Sequence, residues 1–352
     1  MPRFPQQLHP DYVADRPADQ LLAPATQMGA VELLVRDLDK VLKFYIEGAL
    51  LDVLEHHGTT ATLGKHGVPS VKLVQVGDLP PFNPRGAGLF HTALVYATKA
   101  ELASALYSVA RNYPHSFTGA GDHIFSEAFY FDDPEGNGVE LYADRPRETW
   151  QREANGLLSL ASNYLDPNEF LRTNLSLEAP QPTTAPASTL GHVHLQVGDI
   201  PTGREFYVDT LGFEVMSDAG SALFISAGGY HHHMAMNVWG TRGAGLRAPA
   251  LGLGTVDITL PDAAALDRAI GNDAIAASLQ CVLALYICWS LDTTVVNVMI
   301  VIALLGGPAR EAEVAVPETP LDADALDHVD ALVDGADAGR VDDVQRDTLD
   351  LD

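Results

Sequence analysis

Residues 190–207 read LGHVHLQVGDIPTGREFY, and residues 28–45 read MGAVELLVRDLDKVLKFY. The two stretches are one unit written twice. In each, apolar residues alternate along the first half (Val31, Leu33, Val35 and Val193, Leu195, Val197), the period of a half-buried strand. An aspartate follows (Asp37, Asp199), the residue type that caps a helix start, and the helical stretch ends in Phe-Tyr (Phe44-Tyr45, Phe206-Tyr207). The correspondence continues, EGALLDVLE against VDTLGFEVM, and a weaker echo relates Gly88–Leu106 to Gly252–Leu266, again a strand and then a helix. The chain therefore reads as four strand-helix-strands modules, near 28–78, 87–145, 190–240 and 252–305, which sets the fold class as α+β.

The surrounding sequence bounds what such a protein does. Its 352 residues carry a formal net charge of −26. Phosphate backbones and anionic membrane surfaces are held by clustered Lys and Arg, so nucleic acid is excluded as a partner and a membrane is not expected. Residues 311–352 alone contribute −12 of that charge, so the modules are much less acidic than the total suggests. Hydrophobic residues make up 47% of the chain, enough for ordinary cores. Cys281 and Cys288 are too few for a disulfide framework or a zinc cluster. Residues 1–24 are polar and proline-dotted, without the pattern of a secretory signal, so a cytoplasmic protein is expected. The expected organisation is an N-terminal arm (1–24), a first domain of modules one and two (25–149), a linker (150–188) containing APQPTTAPAS, a second domain of module three and a degenerate module four (189–305), and an acidic, disordered tail (306–352).

The most specific chemistry lies at Tyr130–Glu140, YFDDPEGNGVE. Pro134 and Gly136 supply turn dihedrals between two short strand patterns, so Tyr130 and Glu140 can project into one cavity from adjacent strands. The turn alone is ordinary hairpin chemistry. It does not account for the tyrosine and glutamate together.

These features resemble the vicinal oxygen chelate superfamily, and within it the extradiol ring-cleaving dioxygenases of the catechol 2,3-dioxygenase type. The likeness covers about residues 25–265. It implies tandem βαβββ modules that pair into half-open mixed β-barrels around a divalent metal, Fe(II) with Mn(II) as the alternative. It also implies a catecholic small-molecule substrate and O2. The family takes one metal-binding histidine from the first strand of each module in a pair, and a glutamate from the last strand of the second. The four first-strand positions hold Ala30, His91, His192 and Thr255, so only modules two and three are equipped. The resemblance thus implies His91, His192 and Glu140 as metal ligands, with His232, Tyr130 and His123 as catalytic groups around the substrate. His232 would move protons, Tyr130 would hydrogen-bond a substrate oxygen, and His123 would stabilise negative charge on bound oxygen. A site of this composition requires module two to pair with module three across the 150–188 linker, or between two chains of a homo-oligomer by exchange. His91 and His192 side chains more than about 8 Å apart would rule it out.

Other readings of the same residues stand beside this one. His91 among apolar neighbours would by itself read as a half-buried strand residue. His192 and His194 share one side of their strand, and family register favours His192. Strand alternation puts His232 opposite His231 and His233, so the three cannot all face one cavity. His56, His57, His66 and His115 have no partner pattern and read as surface residues. Tyr96, Phe129, Phe131, Met234, Met236 and Trp239 are candidates for a pocket lining or, more simply, for core packing. The scaffold also carries glyoxalase-like isomerases and non-catalytic small-molecule-binding proteins, and fold analogy does not choose among these. Two histidines with one carboxylate favour oxygen chemistry.

The likeness stops near Asp273. Residues 279–305 are almost uncharged apart from Asp292 and pose three alternatives: a membrane helix, a buried strand region, or a segment from a disturbed reading frame.

Overall fold

A computed structural model describes residues 16–176, 189–270, 284–289 and 296–301. The first module runs β1 (Gln27–Val35), α1 (Leu38–Glu47), β2 (Asp52–His57), β3 (Thr60–Lys65) and β4 (Val68–Gln75). The second runs β5 (Gly88–Val95), α2 (Lys99–Asn112), β6 (Phe117–Asp122), β7 (Ser126–Asp132) and β8 (Gly138–Asp144). A short helix, α3 (Pro167–Asn174), follows. The third module contains β9 (Thr189–Gln196), α4 (Ile200–Arg204) continued by a π-helical turn over Glu205–Thr210, then β10 (Glu214–Asp218), β11 (Ala222–Ser226) and β12 (Met234–Asn237). The fourth has β13 (Gly252–Leu260), α5 (Ala263–Ile270), β14 (Ala284–Trp289) and β15 (Val296–Val301). Asp37 and Asp199 cap α1 and α4, their carboxylates accepting from the backbone N–H of Lys40 and Thr202.

The modules pair out of sequence order. One seven-stranded sheet, β14-β15-β13-β1-β4-β3-β2, joins modules one and four. One eight-stranded sheet, β10-β11-β12-β9-β5-β8-β7-β6, joins modules two and three and curls into a half-barrel. At the centre of each, the first strands of its two modules run antiparallel, β1 on β13 and β5 on β9. Each of β1, β5 and β9 also pairs in parallel with the last strand of its own module. The last strand thus lies beside the first, which brings Glu140 on β8 next to β5. A continuous core, including Val31 and Leu33 of β1, Leu73 of β4 and Val193 and Leu195 of β9, lies between the two sheets and the helices.

Residues 150–163 form a strap across the half-barrel. Asn163 exchanges backbone hydrogen bonds with Asp122 at the end of β6, one edge of the sheet. The Leu158 N–H donates to Met216 O on β10, the other edge. Trp150 and Leu158 of the strap pack with Phe125, Met216 and Tyr230. The Pro/Ser/Thr stretch of the expected linker lies outside the described residues, as do the N-terminal arm up to residue 15 and the whole acidic tail. In the apolar segment, the described parts are β14 and β15, which pair with each other and add to β13; residues 279–283, 290–295 and 302–305 lie outside the description, as does Cys281.

Candidate metal centre

The register of the eight-stranded sheet assembles the site. Across β5 and β9, His91 is opposite His194 and Ala93 is opposite His192. Across β5 and β8, Ala93 is beside Glu140, and across β7 and β8, Glu140 faces Tyr130. His91, Glu140 and His192 therefore surround one point. Nε2 of His91 is 2.9 Å from Glu140 Oε2, and Nε2 of His192 is 3.2 Å from the same oxygen. The two imidazole centroids are 5.6 Å apart.

This donor set fits a divalent metal. All three residues are buried, and buried polar atoms are normally hydrogen-bonded. Nε2 of His91 nevertheless has no aligned hydrogen bond despite its closeness to Glu140, and Nδ1 of His192 has no partner either. Burial presses His192 down to about 4, with neighbouring His91 acting the same way against the pull of Glu140. Burial opposes ionisation of Glu140, but the two imidazoles together hold its carboxyl well below the ordinary range. The cluster brings one carboxylate and two imidazole nitrogens to one side of a point, a donor set that suits a divalent metal.

Tyr130 and His123 form a unit beside the cluster. Ala161 O in the strap lies 2.9 Å from His123 Nδ1, and the Tyr130 hydroxyl lies 2.7 Å from His123 Nε2. A carbonyl only accepts, so His123 carries hydrogen on Nδ1, and in its neutral form Nε2 accepts from Tyr130. Burial, reinforced by Glu140, raises the Tyr130 pKa well above normal and keeps it a phenol. Both His123 nitrogens are thus engaged, and its contact with the site runs through Tyr130.

His232 is buried with its ring centroid 4.0 Å from that of His192. His231 lies between His232 and Asp144, while Nδ1 of His233 is turned to Ser226 Oγ and the Ala227 N–H. His192, His231 and His232 also bring one nitrogen each within 4.8 Å of one another.

His194 has a role that sequence reasoning left as an alternative ligand. Asn237 Oδ1 accepts the Trp239 N–H, so its Nδ2 is the atom donating to His194 Nε2, at 3.0 Å. His194 is then a neutral imidazole with hydrogen on Nδ1, its ring 4.8 Å from His91. Phe90, Phe224 and Trp239, all half-buried, surround it at centroid distances of 4.9–5.9 Å. Among the other candidates for a lining, Tyr96 donates to Ala49 O, Phe129 packs on Phe170, Phe131 packs on Phe117, and Met234 and Met236 belong to the core. Core packing is therefore the role of all but Trp239. His56, His57, His66 and His115 are exposed.

Comparison with known proteins agrees with this architecture. Residues 189–270 match the Glyoxalase/Bleomycin resistance protein/Dioxygenase superfamily. A protein named catechol-2,3-dioxygenase from Bacillus subtilis (strain 168) is 37% identical over 249 residues, covering 69% of this chain and 85% of that protein. The chain belongs to this superfamily. As a superfamily member with a dioxygenase relative, it is a dioxygenase-like enzyme, which implies a metal cofactor, a small-molecule substrate and O2. Among solved structures, a putative dioxygenase from Bacillus subtilis subsp. subtilis str. 168 aligns with TM-score 0.48 and 14% identity over 75% of this chain and 77% of the other. Glyoxalase I from Zea mays aligns with TM-score 0.47 and 14% identity over 78% and 87%. Residues 266–306 match a different model, Multiple resistance and pH regulation protein F (MrpF / PhaF), which overlaps the end of the superfamily match at 266–270. Among the described residues no helix is long and apolar enough to cross a membrane.

Proposed function

We propose that the chain is an Fe(II)-dependent extradiol dioxygenase that opens a catechol-type ring with O2. The observation carrying this reading is the convergence of His91, His192 and Glu140 on one buried point, with His91 Nε2 left without an aligned hydrogen bond, in a relative of a protein named catechol-2,3-dioxygenase. Iron held by these three residues would supply the redox chemistry that couples a diol to O2. Mn(II) suits the same donors and is the alternative metal.

The chain's own groups then divide the remaining work. His232, an imidazole beside His192, takes a proton from a substrate hydroxyl at its Nε2 and returns one later. Tyr130, its hydroxyl hydrogen spent on His123, offers lone pairs to a substrate hydroxyl, and His123 holds the phenol in place through Ala161 O. Phe90, Phe224 and Trp239 form the aromatic walls, with the Nδ1–H of His194 as a fixed donor to a substrate oxygen. The catalytic unit in this reading is the pair of modules two and three, with modules one and four as its support.

Adding Fe(II) and catechol anaerobically and then admitting air tests the reading. A yellow ring-opened product is expected. Stoichiometric iron loading without product contradicts it and favours an isomerase or a binding protein on the same scaffold.

A further inference from the structure

Asp144 lies four residues beyond Glu140, at the end of β8, with its side chain 26% exposed. Its Oδ2 accepts from the Tyr230 hydroxyl at 2.8 Å, and its Oδ1 lies 2.9 Å from His231 Nε2. The Tyr230 oxygen is in turn 2.7 Å from the Tyr142 hydroxyl, whose ring packs 5.1 Å from that of His192. His231 is fully enclosed and stacked on Phe125, with centroids 4.7 Å apart and planes 15° apart. Its Nδ1 meets His232 Nδ1 at 2.8 Å.

Hydrogen-bond bookkeeping along this chain has one solution for neutral imidazoles. A carboxylate only accepts, so His231 places its hydrogen on Nε2, toward Asp144. Its Nδ1 then holds a lone pair, and the single hydrogen between the two histidines belongs to His232 Nδ1. His232 Nε2 is left as a lone pair, and among the described residues nothing in the protein donates to it. The ring nitrogen opposite a hydrogen-bonded one is the usual way a histidine's tautomer is fixed.

We propose that Asp144, acting through His231, is a positioning residue that holds His232 in its Nδ1–H form and reserves Nε2 as the acceptor beside the His91, His192 and Glu140 cluster. The identity of the proton accepted rests on the dioxygenase reading; the tautomer does not. Tyr230 and Tyr142 brace the carboxylate from its other side.

Two measurements test this on the full chain. In metal-free protein labelled with 15N-histidine, NMR is expected to show His232 protonated at Nδ1 and not at Nε2. In Asp144→Ala and in His231→Phe, which keeps the stack on Phe125 but has no nitrogen, the hydrogen is expected to shift toward Nε2. In Fe(II)-loaded protein the same variants should lower kcat for catechol by about 10- to 100-fold, with KM and iron content within about twofold of wild type. If Asp144→Ala does not fold, His231→Phe carries the same reading. Nε2–H in the wild type, or an unchanged tautomer in the folded variants, overturns the proposal. An Nδ1–H wild type that opens no catechol when iron-loaded overturns the dioxygenase reading and leaves the positioning role supported.

Discussion

His91 Nε2 lies 2.9 Å from Glu140 Oε2, yet no hydrogen bond aligns the two. Both atoms are removed from solvent, and in the proposed site they share a metal. His91→Ala, His192→Ala and Glu140→Gln should each lose bound iron and turnover together. The expected iron content is below about a tenth of wild type, because each substitution removes one of only three protein ligands. Metal analysis after anaerobic loading checks this, and a fully loaded, active variant would remove that residue from the ligand set.

In the proposed site His232 stands outside the ligand set. His232→Ala is expected to retain iron while kcat falls by about 10²- to 10⁴-fold, the usual range for a general acid-base group. Near-normal turnover would move the proton role to Tyr130 and His123.

Tyr130 is oriented by His123, and His123 by the strap. Tyr130→Phe removes the hydroxyl, and His123→Ala removes what holds it. Both are expected to lower kcat/KM for catechol roughly tenfold and leave iron binding intact. A large effect from Tyr130→Phe with none from His123→Ala would mean that the 2.7 Å bond is not used to place the phenol.

Gly191 packs against the ring of Tyr142, and an added Cβ would collide with the Tyr142 hydroxyl oxygen. That phenol lies beside His192 and bonds Tyr230. Gly191→Ala is therefore expected to cost about 1–3 kcal/mol of stability, as overpacked buried sites do, and to weaken iron binding. Urea unfolding and iron titration of the variant read both effects.

Four buried histidines give the metal-free protein a pH-dependent stability. Burial, with the Arg147 charge adding to it, pushes His233 down to about 3, and burial pushes His192 to about 4. His194 and His232 are also held well below the ordinary value, again chiefly by burial. A histidine neutral in the native state binds its proton more tightly when unfolded. Its contribution is complete above pH about 6.5 and is lost as pH falls toward 4, at about 1.4 kcal/mol per unit for each group. Asp133, raised by burial to about 6, and Asp132, raised by burial in the same direction, act in the opposite sense, and two groups do not offset four. The urea midpoint of metal-free protein should drop steeply from pH 7 to pH 5, and a flat profile would contradict the buried, neutral state of these rings.

Much of this was legible in the sequence because it is written locally. Alternation in residues 28–35 and 190–197, the capping aspartates Asp37 and Asp199, and the interval from Tyr130 to Glu140 each fit within one strand, helix start or hairpin. The absence of a histidine at Ala30 and Thr255 pointed to the pairing of modules two and three, which the sheet order displays. What was not legible depends on distant partners. Asp144 and His231 are 87 positions apart, and His194 and Asn237 are 43 apart, with no periodicity to link them. The strap has no strand pattern, because isolated backbone bonds to Asp122 and Met216 hold it, and these impose no alternation on its side chains.

The central claim is that one metal is shared by residues of two modules. X-ray absorption or a crystal structure of the Fe(II)-loaded protein measures it most directly. The account predicts one iron per chain, with Nε2 of His91, Nε2 of His192 and a Glu140 oxygen each at roughly 2.0–2.2 Å. Iron bound by other residues, such as His231 and His232, or a loaded protein without Glu140 in the coordination shell, would contradict it.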